Sequence, residues 1–289
     1  MNLSDYGNVL ENISLKDYNT FKINSLVKDL IIVNDENKLA ELIKNLDQYF
    51  IIGNGSNIIL YNDHYDYPFI KLDFKDIKVF DDNTVYVGAS VLPIVLIHEL
   101  YKYGLGGLEW ASGIPGTMGG MVYGNAGAYN EEIKDFIKSI KVLDKETYEI
   151  SEMGVEEARF SYRDSIFKEN KKYIILGVTL LLKEINIESS KELIQDRLNR
   201  RLASQPLEYP SAGSVFRNPE NDFAGRLIED NGFKGYHVND AYVSEKHANF
   251  IVNKGNATGY DIINLINDIK AKVKSENNVD LILEQEIIK

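Results

Sequence analysis

Residues 104 to 129 read GLGGLEWASGIPGTMGGMVYGNAGAY, the densest cluster of glycine in the chain. It holds nine of the chain's 21 glycines and its only tryptophan, Trp110. Glycine loses more backbone entropy on folding than any other residue, so such density is unfavourable unless the backbone needs unusual angles or a close approach. A ligand is the simplest approaching object, because backbone N–H groups in such a loop converge on an anion such as a phosphate. The alternative is a set of tight turns between strands. Two familiar phosphate loops do not fit. Gly116-Thr-Met-Gly-Gly120 is not followed by a Lys-Ser/Thr pair, so it is no P-loop. Gly53-Asn-Gly55 follows a strand-like run, but Ile58 stands where a dinucleotide fingerprint has its third glycine.

The bulk composition narrows the classes. With 289 residues, 44% hydrophobic and 26% charged, the chain has the make-up of a globular protein with room for two or three small domains. A net charge of −12 argues against nucleic-acid and anionic-membrane partners. It also means that cations near a phosphate-rich ligand must be placed against the overall field. The absence of cysteine excludes disulfides, thiolate metal sites and cysteine nucleophiles. The N-terminal segment is polar and acidic rather than apolar, and the longest apolar run, Tyr173 to Leu182, is too short to span a bilayer. A cytoplasmic protein is expected. The four histidines, His64, His98, His237 and His247, show no metal-ligand spacing, and no metal site is predicted.

Local signals outline the elements. Lys28 to Val33 reads as a strand, Asn34-Asp35 as caps, and Leu39, Leu42, Ile43 and Leu46 as one face of a helix. Short strands Tyr49 to Ile52 and Ile58 to Tyr61 flank the turn Gly53-Asn-Gly-Ser-Asn57. Asp81-Asp-Asn83 reads as a hairpin turn, and Pro93 opens a helix that Gly104 closes. Strands follow at Ile137 to Leu143, Tyr148 to Ser151 and Tyr173 to Leu182. Glu184 to Ser190 reads as a linker, followed by a helix with Leu193, Ile194, Leu198 and Leu202 on its apolar face. Further on come a short helix from Ala224 to Asn231, a strand from Asn249 to Val252 and a long helix capped by Thr258. A final strand is expected from Val279 to Ile287.

Five segments, taken in order, resemble the UDP-N-acetylenolpyruvoylglucosamine reductases. They are Ser112-Gly-Ile-Pro-Gly-Thr-Met-Gly-Gly120 with Asn125-Ala-Gly-Ala-Tyr129; Phe160-Ser-Tyr-Arg-Asp-Ser-Ile-Phe167; Ser211-Ala-Gly-Ser-Val-Phe-Arg-Asn-Pro219; Val243-Ser-Glu-Lys-His-Ala-Asn-Phe-Ile-Val252; and Leu283-Glu-Gln-Glu-Ile287. Asn19-Thr-Phe-Lys-Ile23 resembles the family's N-terminal signature. The implied fold is α+β: a two-subdomain FAD-binding fold of the vanillyl-alcohol-oxidase type plus a C-terminal α+β substrate-binding domain. The boundaries expected are 1–66, 67–185 and 186–289, with a return of the last strand to the FAD domain left open. About fifty residues separate Arg163 from Ser214, so the shorter family type, without an inserted tyrosine loop, is expected.

The resemblance also implies the chemistry. NADPH reduces FAD, and the reduced flavin passes hydride to the enolpyruvyl ether of UDP-N-acetylglucosamine, giving UDP-N-acetylmuramate for peptidoglycan. Cofactor contacts fall to Gly53, Asn54, Gly55, Ser56 and Asn57, to Ser112, Gly113, Ile114, Pro115, Gly116, Thr117, Gly119 and Gly120, and to Asn125, Ala126 and Gly127. Hydride addition leaves negative charge on the substrate as an ene-diolate, which the planar guanidinium of Arg163 suits, with Tyr162 helping to position it. Ser214 corresponds to the family's proton donor. Glu286 matches the terminal glutamate, although Glu284 shares its face of a strand by the period of two. Asn218 is expected to contact substrate. The UDP diphosphate needs cations, with Arg217 ahead of Arg197, Arg200, Arg201, Arg226 and Lys246. Two other readings are a flavin oxidase of the same superfamily with another small substrate, and a non-catalytic flavin-binding protein.

Overall fold

Strand runs of Val, Ile and Leu build the first sheet. In a computed structural model describing Met1–Lys289, Leu30–Val33 pairs in parallel with Phe69–Leu72, which in turn pairs in parallel with Phe50–Ile52. The crossover between Leu26–Val33 and Phe50–Ile52 is the helix Glu36–Lys44. Asp35 caps it, its side chain accepting from the N–H groups of Asn37 and Lys38, and Leu39, Leu42 and Ile43 form its buried face. A second sheet is antiparallel, in the order Ile150–Met153, Ile137–Asp144, Tyr173–Leu181, Thr84–Gly88, Ile77–Val79. Its middle strand, Tyr173–Leu181, is buried along nearly its whole length, in keeping with its nearly unbroken apolar sequence. The helix Met118–Tyr123 packs against it.

The chain divides into two compact units. The first comprises Met1–Glu11, Asp29–Gly53 and Tyr67–Asn199, and it contains both sheets above. One hydrophobic core, from Ile31 through Trp110 and Leu176 to Ile194, serves all of it. The second comprises Asn12–Lys28, Asn54–Asp66 and Arg200–Lys289. Here the helix Gly259–Asn277 buries Ile262, Leu265, Ile266, Ile269 and Val273 beside the strands His237–Val238, Ala241–Val243 and Ile251–Asn253. Thr258 and Asp261 cap that helix reciprocally. Its first residue must be glycine, because a Cβ on Gly259 would stand 1.9 Å from the Leu60 carbonyl oxygen. Glu286–Ile288 pairs in parallel with Ile58–Leu60 in the same unit, and the buried Tyr65 hydroxyl donates to the Ile288 carbonyl at 2.8 Å. No helix is long and apolar enough to cross a membrane.

Three expectations fail in instructive ways. The segment Glu184 to Ser190 is not a linker: Lys183–Glu184 pairs with Leu105–Gly106, and the helix starts at Ile187. Ser190 is buried, and its hydroxyl donates to Glu109 Oε1 at 2.8 Å. The helix Ile187–Ser204 buries Ser190 and Ile194, whereas Leu193 and Leu202 are 39% and 57% exposed. The final strand spans only Glu286–Ile288, because the residues before it pair elsewhere, Leu283 forming an antiparallel bridge with Phe216.

Candidate active site

In the first unit the glycine-rich stretch is a chain of short elements. The helix Pro93–Leu100 runs into a tight turn that ends at Gly104 with φ 67°, a left-handed conformation suited to glycine. A 3-10 turn at Glu109–Ala111 leads to the buried Ser112. Thr117 then caps the helix Met118–Tyr123, its hydroxyl accepting from the Gly120 N–H at 3.3 Å. A Cβ on Gly53 would meet only Thr117 Oγ1, at 3.2 Å, and one on Gly120 only the same atom, at 3.5 Å. The unit therefore brings Gly53 together with the Thr117–Gly120 segment. A side chain at Gly53 would crowd that hydroxyl, so glycine there lets the two segments approach closely; glycine backbone of this kind suits the phosphates of a dinucleotide, and the residues present fit FAD.

Beyond that helix the chain is braced by Asn125, which is fully buried with φ 43°. Its amide donates to the Ser161 carbonyl at 2.8 Å and to Glu132 Oε2 at 3.1 Å, and its oxygen accepts from the Lys134 N–H. That side chain holds the protein's own loop. Ser161 and Asp164 exchange backbone hydrogen bonds at 3.1 Å, which puts Tyr162 and Arg163 at the tip of a tight turn. Arg163 adopts φ 56°, an uncommon conformation for a residue with a side chain. Its guanidinium donates to the carbonyls of Asn125 at 3.4 Å and Gly127 at 2.5 Å, and stands 5.2 Å from the Tyr162 ring centroid. Arg163 is thus fixed to the end of the glycine-rich stretch, two motifs that the sequence leaves 36 residues apart.

The second unit assembles the other candidates. Gly55 has φ 62°, and a Cβ there would stand 2.2 Å from the Tyr18 carbonyl oxygen. Thr20 N–H donates to the Gly55 carbonyl at 3.1 Å, so the Asn19-Thr-Phe-Lys-Ile23 segment serves as the backing of this turn. Asn57 reaches across 227 residues: its amide donates to the Glu284 carbonyl at 3.0 Å, and its carbonyl accepts from the Glu286 N–H at 2.9 Å. Glu284 N–H donates to Val215 at 2.9 Å. Between the two glutamates, the buried Gln285 donates from Nε2 to the carbonyls of Ala212 at 3.0 Å and Gly213 at 3.3 Å. One short segment thereby ties Asn57, the Ser214 turn and Glu286 into one structure.

Ser214 forms a bridge with Phe250, while Asn249 clamps the next step. Its side chain accepts from the Phe216 N–H at 3.0 Å and donates to the Phe216 carbonyl at 2.8 Å. Asn249 and Gln285 are supporting residues that sequence reasoning missed, although both lie inside the motifs quoted above. Arg217 donates its N–H to Ile282 at 2.9 Å. Asn218 Oδ1 accepts from the Ala224 N–H at 3.1 Å, so this side chain starts the helix Ala224–Asp230. Three of the other cations are engaged internally. Arg197 pairs with Glu131 at 3.1 Å, Arg226 with Asp222 and Asp230, and Lys246 Nζ donates to the Leu202 carbonyl at 2.6 Å. Of the three catalytic candidates, Arg163 belongs to the first unit, and Ser214 and Glu286 to the second.

His247 supports the Ser214 clamp, its Nδ1 accepting from the Asn249 N–H at 3.2 Å. Burial holds its pKa below the ordinary histidine value, with Lys234 adding to the shift and a hydrogen bond to its own backbone and Glu229 opposing it. The fold therefore favours neutral imidazole, and the unfolded chain binds the proton first as pH falls. Stability should decline as pH drops through about 6.5 and should stop declining from this cause below the folded-state pKa. Melting temperatures between pH 8 and pH 5 check this, and the decline should be smaller in His247→Gln.

Comparison with known proteins joins these parts. Residues 205–288 match the family model described as UDP-N-acetylenolpyruvoylglucosamine reductase, C-terminal domain, and residues 29–151 match a FAD binding domain. A UDP-N-acetylenolpyruvoylglucosamine reductase from Caldanaerobacter subterraneus subsp. tengcongensis is 39% identical, over 98% of this chain and 94% of its own. One from Clostridium botulinum (strain 657 / Type Ba4) is 42% identical, over 97% and 92%. A crystal structure of the reductase from Thermus caldophilus superposes with a TM-score of 0.84 at 33% identity, over 98% of this chain and 99% of that one. The interval between Arg163 and Ser214 is filled by the regular elements Ile166–Asn170, Tyr173–Leu181, Lys183–Glu184 and Ile187–Ser204, as the shorter type requires. The glycine-rich stretch, the Arg163 turn and the Ser214–Glu286 assembly thus sit on a full-length match, and the chain belongs to the UDP-N-acetylenolpyruvoylglucosamine reductases, FAD-containing oxidoreductases.

Proposed function

We propose that this chain reduces UDP-N-acetylglucosamine enolpyruvate to UDP-N-acetylmuramate at the expense of NADPH, in the cytoplasmic synthesis of peptidoglycan precursors. When bound, FAD supplies the chemistry of hydride relay from NADPH to the vinyl carbon. The protein's own groups handle the charge and the proton that follow. Arg163 holds the substrate carboxylate as charge builds on it, because a guanidinium meets two oxygens at once and keeps its charge at any working pH. The Tyr162 ring beside it favours one orientation of the guanidinium. Ser214 delivers a proton to the adjacent carbon, and orientation offsets the weak acidity of a hydroxyl. Glu286 supplies the acidic group of the same site, with Arg217 and Asn218 on the substrate's sugar-nucleotide side.

The observation that carries this reading is the second unit's assembly of Asn57, Ser214 and Glu286 through Gln285 and the Glu284 backbone. A merely structural turn needs no such cross-bracing around a serine and a glutamate. The cofactor contacts proposed are Gly53 to Asn57, Ser112 to Thr117, Gly119, Gly120 and Asn125 to Gly127. We further propose residues 1–66 and 67–185 as the flavin part and 186–289 as the substrate part. The pairing of Glu286–Ile288 with Ile58–Leu60 supports a last strand that returns to the first of these. Steady-state turnover tests the function. NADPH consumption should require the enolpyruvyl sugar and match UDP-N-acetylmuramate formed mole for mole. Oxygen-linked turnover of a different substrate, without any product from the sugar, would instead make the chain an oxidase.

A further inference from the structure

A chain with net charge −12 must hold a cofactor that carries two phosphates, and the cations assigned so far serve the substrate rather than FAD. One lysine is placed to do this. In the first unit, Phe50–Ile52 and Phe69–Leu72 run in parallel with Ile52 opposite Lys71. Lys71 therefore stands beside the carboxyl end of Phe50–Ile52, where the chain enters Gly53. Ligands of parallel α/β sheets bind outside that end of the strands. Lys71 Nζ donates to the Gly53 carbonyl at 2.8 Å. The Cβ position of the same glycine lies 3.2 Å from Thr117 Oγ1, so the glycine that Lys71 holds is also the one that meets the Thr117–Gly120 segment.

The surroundings of Lys71 leave its charge to be used. Its polar partner is a neutral carbonyl, and the neighbouring carboxylate, Asp73, is ion-paired with Lys75 at 2.5 Å. Burial draws the ammonium's pKa below the ordinary lysine value, with Asp73 opposing and Lys75 adding to the shift. A half-buried cation facing a carbonyl gains from an anion that replaces water around it.

We infer that Lys71 is a cofactor-binding residue whose ammonium neutralises the FAD diphosphate at the Gly53 turn. This rests on the flavin reading above. The bland alternative is that Lys71 only braces Gly53 through its hydrogen bond, and Lys71→Gln separates the two because glutamine still donates but carries no charge. Apoprotein of the parent, Lys71→Gln and Lys71→Arg would be titrated with FAD at low and high salt, and each apoprotein's melting temperature recorded. The inference expects Lys71→Gln to melt with the parent but to bind FAD about tenfold more weakly at low salt, the scale of one charge-assisted hydrogen bond. Its affinity should also depend less on salt, and Lys71→Arg should recover most of the loss. Parent-like affinity and salt dependence in Lys71→Gln would overturn it. So would a loss of affinity with unchanged salt dependence, or one that tracks a lowered melting temperature. A parent apoprotein that binds no FAD would remove the flavin reading itself, and this inference with it.

Discussion

Replacing Ser214 by alanine is expected to leave FAD reduction by NADPH within a few-fold of the parent and to slow product formation by about two to four orders of magnitude. That range is what a positioned proton donor contributes. The hydroxyl is the only thing removed. The turn around it is fixed by the bridge to Phe250, by Asn249 on the Phe216 backbone, and by Gln285 on the carbonyls of Ala212 and Gly213. None of these uses Ser214 Oγ, so the fold and the first half-reaction should persist. Anaerobic stopped-flow measurement of each half-reaction separates the two effects. A variant that still forms product within a few-fold of the parent would take Ser214 out of the mechanism.

The second large effect is expected at Arg163. Arg163→Met should slow the second half-reaction by about two to three orders of magnitude, the usual result of removing a donor aimed at developing negative charge. Arg163→Lys should recover little, because an ammonium cannot reproduce a planar two-pronged contact. Unlike Ser214, this residue also supports the fold around it. Its guanidinium holds the carbonyls of Asn125 and Gly127, inside a segment expected to touch FAD. A weakened grip on FAD and a lowered melting temperature should therefore accompany the kinetic loss in Arg163→Met. The informative comparison is made at saturating FAD, where the loosened loop is compensated and the chemical step alone remains. If the second half-reaction at saturating FAD ran at the parent's rate, Arg163 would be a loop brace and nothing more.

Much of the fold was legible because it is written locally. Asp35, Pro93, Gly104 and Thr258 each mark a helix end through capping, a preset φ or a left-handed stop. The hairpin at Asp81–Asn83 and the buried strand Tyr173–Leu181 follow from turn chemistry and apolar continuity. What escaped was set by distant partners. Glu184 to Ser190 looks like a linker until Glu109 is known to bind Ser190. The expected strand from Val279 breaks because Glu284 bonds Val215 while Glu286 bonds Asn57, a change of partner within three residues that no periodicity reveals.

The candidate site divides in the same way. Its chemistry-bearing residues stood out as residue types in a recurring order, whereas their supports did not. Asn249 and Gln285 are ordinary amides in sequence, and their roles appear only when the carbonyls they hold are in place. Lys71 was hidden similarly, as one lysine in an apolar strand. Arg163 stood out through its motif, whereas its left-handed backbone and its hold on Gly127 come from the fold of the Ser161–Asp164 turn.

The most direct test of the central claim is a visible spectrum of the purified protein under anaerobic conditions, followed after NADPH and then after UDP-N-acetylglucosamine enolpyruvate. The protein should be yellow, bleach with NADPH and regain its colour when the sugar is added. A protein that bleaches but stays colourless in the presence of the sugar would contradict the assigned substrate. A protein that is colourless from the start and takes up no FAD would not be a flavoenzyme at all.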